Sequence, residues 1–83
     1  MEEAERQARL ANLKRLRGLA EKAYDDMYEV YSQREINSCY RDAKEYYYDA
    51  ISLAGELGLT EEAQTMGKRL QHIKEVYRSQ FAG

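Results

Sequence analysis

Residues 36–57, INSCYRDAKEYYYDAISLAGEL, carry the pattern on which the fold turns. Within them Ile36, Tyr40, Ala43, Tyr47, Ala50, Ala54 and Leu57 follow one another at alternating steps of four and three residues. That alternation is the seam of a helix packed lengthwise on another helix at a shallow angle. It predicts a helix over about 33–57, and the rest of the chain reads as what this helix needs to hide its apolar side.

Toward the N-terminus, Leu13, Leu16, Ala20, Ala23, Met27 and Val30 form a second seam of the same spacing, with Tyr24 and Tyr31 flanking it. Arg6 and Arg9 fall where the seam should be apolar, so residues 1–9 are expected as a frayed or overhanging start. The first helix is then expected over about 3–31, roughly 43 Å long at ~1.5 Å per residue. No glycine or proline marks its end. The loss of phase between Val30 and Ile36 does, together with Ser32-Gln33-Arg34-Glu35, which has the form of a capping box. Tyr31 and Ile36 are placed for a hydrophobic staple around it. The alternative is one continuous helix kinked at Ser32.

Toward the C-terminus, Gly58 is free to take the left-handed conformation that stops a helix. Thr60 is expected to cap a third helix over about 60–81, with Glu61 and Glu62 in the first turn, where the dipole favours negative charge. Ala63, Met66, Leu70, Ile73 and Tyr77 form its seam, widened by Val76 and Phe81. Short connections make sequential helices antiparallel neighbours. The expectation is an all-α, antiparallel three-helix up-down-up bundle, one domain over residues 1–83.

Charge is distributed unevenly along the chain. Residues 1–22 carry six Lys/Arg against four Asp/Glu, residues 23–62 carry three against ten, and residues 63–83 carry four against one. An acidic middle between basic ends fits an acidic helix flanked by basic ones, while the net charge of −2 implies no bulk polyanionic partner. No apolar run approaches the ~20 residues of a membrane span, and the start MEEAERQAR does not read as a secretory signal. With a single cysteine and no intrachain disulfide to form, the cytoplasm is the expected compartment.

Subtracting the seams leaves the candidate functional residues. Cys39, Tyr46, Ile51 and Leu53 border the seam of the second helix and read as core flank. Its far side carries Glu35, Asp42, Asp49 and Glu56, one every seven residues, with Glu45 alongside and Tyr48 adjacent. Most of the eight tyrosines suit the edge of a core, where a large apolar body and a polar tip are both accommodated. Tyr28 and Tyr48 fall outside it. Aromatics beside an ordered charge row have the composition of an interface hot spot, so Tyr28, Glu35, Asp42, Glu45, Tyr48 and Asp49 are the expected partner-binding residues.

Catalysis finds no support. His72 and Cys39 are the sole residues of their kinds, and no HExxH, CxxC, glycine-rich phosphate loop or Ser/His/Asp set is present. The carboxylates of the acidic row lie ~10 Å apart along the helix, too far to converge on a metal. Neither a metal nor a cofactor is expected, and the chain does not read as an enzyme. The basic residues Arg6, Arg9, Lys14, Arg15, Arg17 and Lys22 are interrupted by Glu2, Glu3, Glu5 and Glu21 and do not share one face. Nucleic acid is therefore not the expected partner.

Tyr40, Asp42, Ala43, Tyr47, Ala50 and Ile51 resemble the second helix of a tetratricopeptide repeat: Tyr-x-acid-Ala, an aromatic four residues on, then Ala and an aliphatic. The resemblance covers some twelve residues. Val30, Tyr31 and Arg34 depart from the first-helix pattern, and no second unit follows, so no repeat array is implied. The same helix is similar to the middle helix of microtubule-interacting-and-trafficking domains, which are solitary three-helix bundles. Ile73-Lys74 and Tyr77-Arg78 loosely resemble their third helix, one position out of register. Both resemblances imply a helical docking platform. The expected function is a small adaptor that binds a protein partner through a tyrosine and acidic surface of helices 1 and 2. Two alternatives stand beside it: a self-associating, homodimeric structural bundle, and an acidic inhibitor that mimics nucleic acid on a basic enzyme.

Overall fold

The computed structural model describes residues 2–82. Three α-helices, α1 (Glu3–Asp26), α2 (Gln33–Glu56) and α3 (Thr60–Val76), are followed by a π-helical turn over Tyr77–Phe81. Arg9 meets Glu56 and Glu21 meets Tyr47, so α1 and α2 run antiparallel. Tyr48 meets Lys74 and Asn37 meets Tyr77, so α3 reverses the direction again. The all-α antiparallel up-down-up bundle expected from the seams is the fold, drawn out to 47 × 19 × 13 Å.

The seams supply the core: Leu13, Leu16, Ala20, Ala23 and Met27 from the first, Ala43, Tyr47, Ala50, Ala54 and Leu57 from the second, Met66, Leu70 and Ile73 from the third. Ala20, Ala43, Ala50 and Ala54 are wholly buried, and small side chains of this kind let α1 and α2 approach closely along their length. By contrast α3 lies against α2 and meets α1 mainly through long side chains.

Several local expectations are corrected. Helix α1 stops at Asp26, five residues before the expected end at Tyr31. The amides of Met27, Tyr28 and Glu29 each reach back three residues, at 3.1, 3.1 and 3.0 Å, tightening the chain out of the α-helix. Asp25 and Asp26 place two carboxylates where the helix dipole favours cations, and the last turn holds no basic residue. Continuity through Ser32 is excluded by its extended backbone, φ −105° and ψ 150°.

At Ser32 half of the capping box forms. Glu35 N–H donates to Ser32 Oγ at 3.1 Å, but the Glu35 carboxylate receives the serine hydroxyl instead of the serine amide. The staple does not form, because the turn carries Tyr31 outward to 99% exposure. Thr60 does not cap α3 with its side chain; it is the first helical residue, and Leu59 stands at the cap. The preceding helix stop accounts for this. Gly58 has φ +74°, Leu59 N–H donates to Ala54 O at 2.8 Å and Gly58 N–H to Gly55 O at 3.1 Å. That pair of bonds is a Schellman motif, and it calls for an apolar residue at 59, which packs on the core.

Of the two forms expected at the start, a frayed end or a helical overhang, residues 3–9 take the helical one. Arg6 Nη1 donates to Leu57 O at 3.5 Å and Arg9 pairs with Glu56 at 3.4 Å, so both cations sit at the negative end of α2. The third helix, expected as one α-helix to 81, widens after Val76; Ala82 N–H reaches five residues back to Tyr77 O at 2.8 Å. With this wider turn, Tyr77 stacks on Tyr40 at a centroid distance of 3.8 Å and Phe81 meets Tyr28 edge-on at 5.0 Å.

Gly58→Ala should lower stability by about 1 kcal/mol, through backbone strain alone, since no atom lies within 4 Å of the added Cβ. Urea unfolding checks this, and the midpoint should fall with the slope unchanged.

Candidate functional site

With about 100° between successive residues, α2 presents three sides. Tyr40, Lys44 and Tyr48 turn toward α3, where Tyr48 accepts a 2.6 Å hydrogen bond from Lys74 Nζ. Cys39, Tyr46 and Leu53 turn toward α1 on the side away from α3, and all three are half-buried. Beyond them stand Glu35, Asp42 and Asp49. Glu45 is outermost and exposed.

On α1 the same geometry sends Arg17, Glu21, Tyr24 and Tyr28 toward α3, and Asn12, Arg15, Leu19, Lys22 and Asp26 to the opposite side. The expected site residues therefore do not share one surface. Glu35, Asp42 and Asp49 line the uncovered side of the α1–α2 hairpin. Tyr48, 51% exposed, belongs to the α2–α3 side, with Lys74 Nζ also 5.0 Å from its ring centroid. Tyr28, 53% exposed, lies edge-on to Tyr24 at 5.5 Å and to Phe81, on the α3 side of α1.

The uncovered side is a shallow trough. Helix phase and partial burial put Leu19, Cys39, Tyr46 and Leu53 along its floor, the acidic row of α2 along one wall and Arg15 and Lys22 of α1 along the other. Asn12, Arg15, Leu16, Asp49, Ser52, Leu53 and Glu56 line one cleft in it. Arg15 spends its guanidinium on Asn12 Oδ1, at 2.7 and 3.0 Å. Neither Arg15 nor Asp49 makes an ion pair among the described residues, although they stand across the same cleft. Asp42 is 3.9 Å from the exposed Arg41 guanidinium, a weak neighbour. Lys22 pairs with Asp26 at 3.3 Å. The Cys39 thiol is pushed up, first by burial and then by Asp26, Asp42 and Glu35, so its thiolate is scarce. Among the described residues no three His, Cys, Asp or Glu side chains gather to hold a metal, and no helix is long and apolar enough to cross a membrane.

A polar junction missed in the sequence lies between α1 and α3. Arg69 grips the Glu21 carboxylate with two hydrogen bonds, 2.9 Å from Nε and 2.8 Å from Nη2, while Tyr47 OH donates to the same carboxylate. The guanidinium also lies over the Tyr24 ring at 5.1 Å. Two signals pointed to it: a tyrosine on a seam needs a partner for its hydroxyl, and Glu21 and Arg69 each sit directly beside a seam residue. The Glu21 carboxyl is held below its ordinary value, chiefly by the Arg69 hydrogen bonds. Tyr47 is pushed up to about 12, by burial first and then by its bond to Glu21.

Compared with protein-family models, curated proteins and solved structures, the chain matches none of them.

The junction makes stability depend on pH at both ends. Glu21 is depressed on folding, so its contribution is present above 4.5 and is lost as pH falls through the lower folded value. Tyr47 is raised, so its contribution is full below 10 and is lost as pH rises toward about 12. In unfolding titrations, Glu21→Gln should be destabilised at neutral pH and approach the parent in acid, and Tyr47→Phe should flatten the alkaline limb.

Proposed function

We propose that this chain is a protein-docking module, an adaptor without chemistry of its own, and that its binding face is the trough on the uncovered side of the α1–α2 hairpin. The observation that carries this reading is the combination of a half-buried apolar strip with carboxylates that α1 leaves unpaired. Asp42 and Asp49 project along one edge of Cys39, Tyr46 and Leu53, and Asp49 has no ion-pair partner among the described residues. Apolar floor with polar rim is the anatomy of an interface. The occupant it suits is a helical surface whose apolar stripe lies on the strip and whose cations stand over the acidic row. Charge there steers and orients the partner, while the strip supplies the buried area.

The resemblance of α2 to helices of tetratricopeptide and microtubule-interacting-and-trafficking domains points the same way, since both serve as helical docking platforms. Glu45 borders this face from the outer side of α2, whereas Tyr48, on the α2–α3 side, and Tyr28 lie away from it.

Reversing charge with Asp42→Lys and Asp49→Lys together should weaken capture of such a partner by roughly 2 kcal/mol, about thirtyfold. Both side chains are well exposed, so the melting temperature should stay close to the parent's. Paired affinity captures from the host, followed by titration of any protein lost from the variant, measure this. A partner that binds both forms equally would overturn the reading.

A further inference from the structure

We infer that the trough is occupied by a second copy of this chain, the two related by a two-fold axis running along the helices. The inference rests on the docking face proposed above and names its occupant.

The trough has one basic and one acidic wall, and these lie at matched heights. Arg15 of α1 and Asp49 of α2 line the same cleft. Two helical turns farther along each helix, in the antiparallel register set by the Arg9–Glu56 and Glu21–Tyr47 contacts, Lys22 comes level with Asp42. Consider two such faces laid together. A two-fold axis crossing the helices would set α1 on α1 and place cation over cation. An axis parallel to the helices instead exchanges the walls without changing height. Arg15 then stands over Asp49 of the second copy, Lys22 over its Asp42, and both pairs recur by symmetry. Leu19, Tyr46 and Leu53 of each copy close the strip between them. The face is complementary to itself, as an isologous dimer requires.

The area is sufficient. Helices of 24 residues run for ~36 Å, and the bundle is 19 Å across. A face of these dimensions offers on the order of 700 Å² per copy, near the ~800 Å² of a standard-size interface. Association at micromolar concentrations, weakening as salt screens the rim pairs, is what such a contact gives.

The test is sedimentation equilibrium of the full chain from about 1 µM to about 1 mM, with circular dichroism confirming that each variant is folded. The parent's mass should rise from 9.7 kDa toward twice that value. Arg15→Glu and Asp49→Arg, each alone, set like charges together at two symmetric points and should weaken association at least about tenfold. Mixed in equal amounts, the two variants should associate as the parent does. The new carboxylate of one chain then meets the new arginine of the other, while the unchanged Arg15 and Asp49 face each other at the second point. Only a contact that brings residue 15 of one copy to residue 49 of the other gives that rescue.

A parent that is monomeric throughout overturns the inference, and so does a mixture that stays dissociated. If Asp42→Lys with Asp49→Lys still abolishes binding of a different protein, the docking face stands without the dimer. If parent and variant then bind alike, both fall.

Discussion

One carboxylate is where the three helices meet. Glu21 projects from α1, receives the fork of Arg69 from α3 and accepts a hydrogen bond from the Tyr47 hydroxyl of α2. The two charged groups, Glu21 and Arg69, are only half-buried, so their pairing is a poor source of net stability: exposed charge pairs contribute little, and each partner retains water it would otherwise lose. Its effect is orientation. Apolar seams slide and rotate on one another at small cost, whereas a bidentate pair and a directed hydroxyl accept one arrangement. With α3 held to the Arg17, Glu21 and Tyr24 side of α1, no other helix among the described residues covers the Asn12, Arg15 and Lys22 side. The uncovered trough follows from the junction.

Much of the fold was legible because burial has a period. Every alanine, leucine and methionine of the three seams is buried or half-buried, and Gly58 stops α2 with the left-handed conformation that only glycine takes freely. What could not be read depends on which helices touch and from which side. Spacing identifies Tyr47 as a core residue but is silent on the carboxylate that receives its hydroxyl. It identifies Tyr48 as outward, yet Lys74 of α3 turns that ring into part of the α2–α3 edge. The end of α1 escaped detection for a different reason: two aspartates opposing the dipole weaken a helix without breaking its apolar pattern.

The tyrosines show how a thin core is extended at its margin. Tyr24 and Tyr47 are buried with their hydroxyls bonded, Tyr40 and Tyr77 stack on each other, and Tyr28 leans on Phe81. Each ring adds apolar area where leucine would be too short, and the hydroxyls of Tyr24, Tyr28, Tyr47 and Tyr77 are hydrogen-bonded. Tyr46 differs. It is half-buried on the side of α2 that α3 does not reach, next to Leu53, and its ring closes part of the trough floor.

The uneven charge of the chain has its structural meaning in that trough. A basic first segment and an acidic middle could have neutralised each other across the α1–α2 contact, and at the end of the pair they do, through Arg9 and Glu56. Farther along they do not. Arg15 turns to Asn12, Lys22 to Asp26 in its own helix, and Asp49 faces Arg15 without an ion pair. Two helices close enough to bury alanine between them cannot fold long side chains across the gap without covering Leu19, Tyr46 and Leu53. That the two walls do not pair with each other and that the strip stays uncovered thus have one origin. A second layer of helix laid over the strip brings charges to both walls from above, where the chain's own side chains cannot stand.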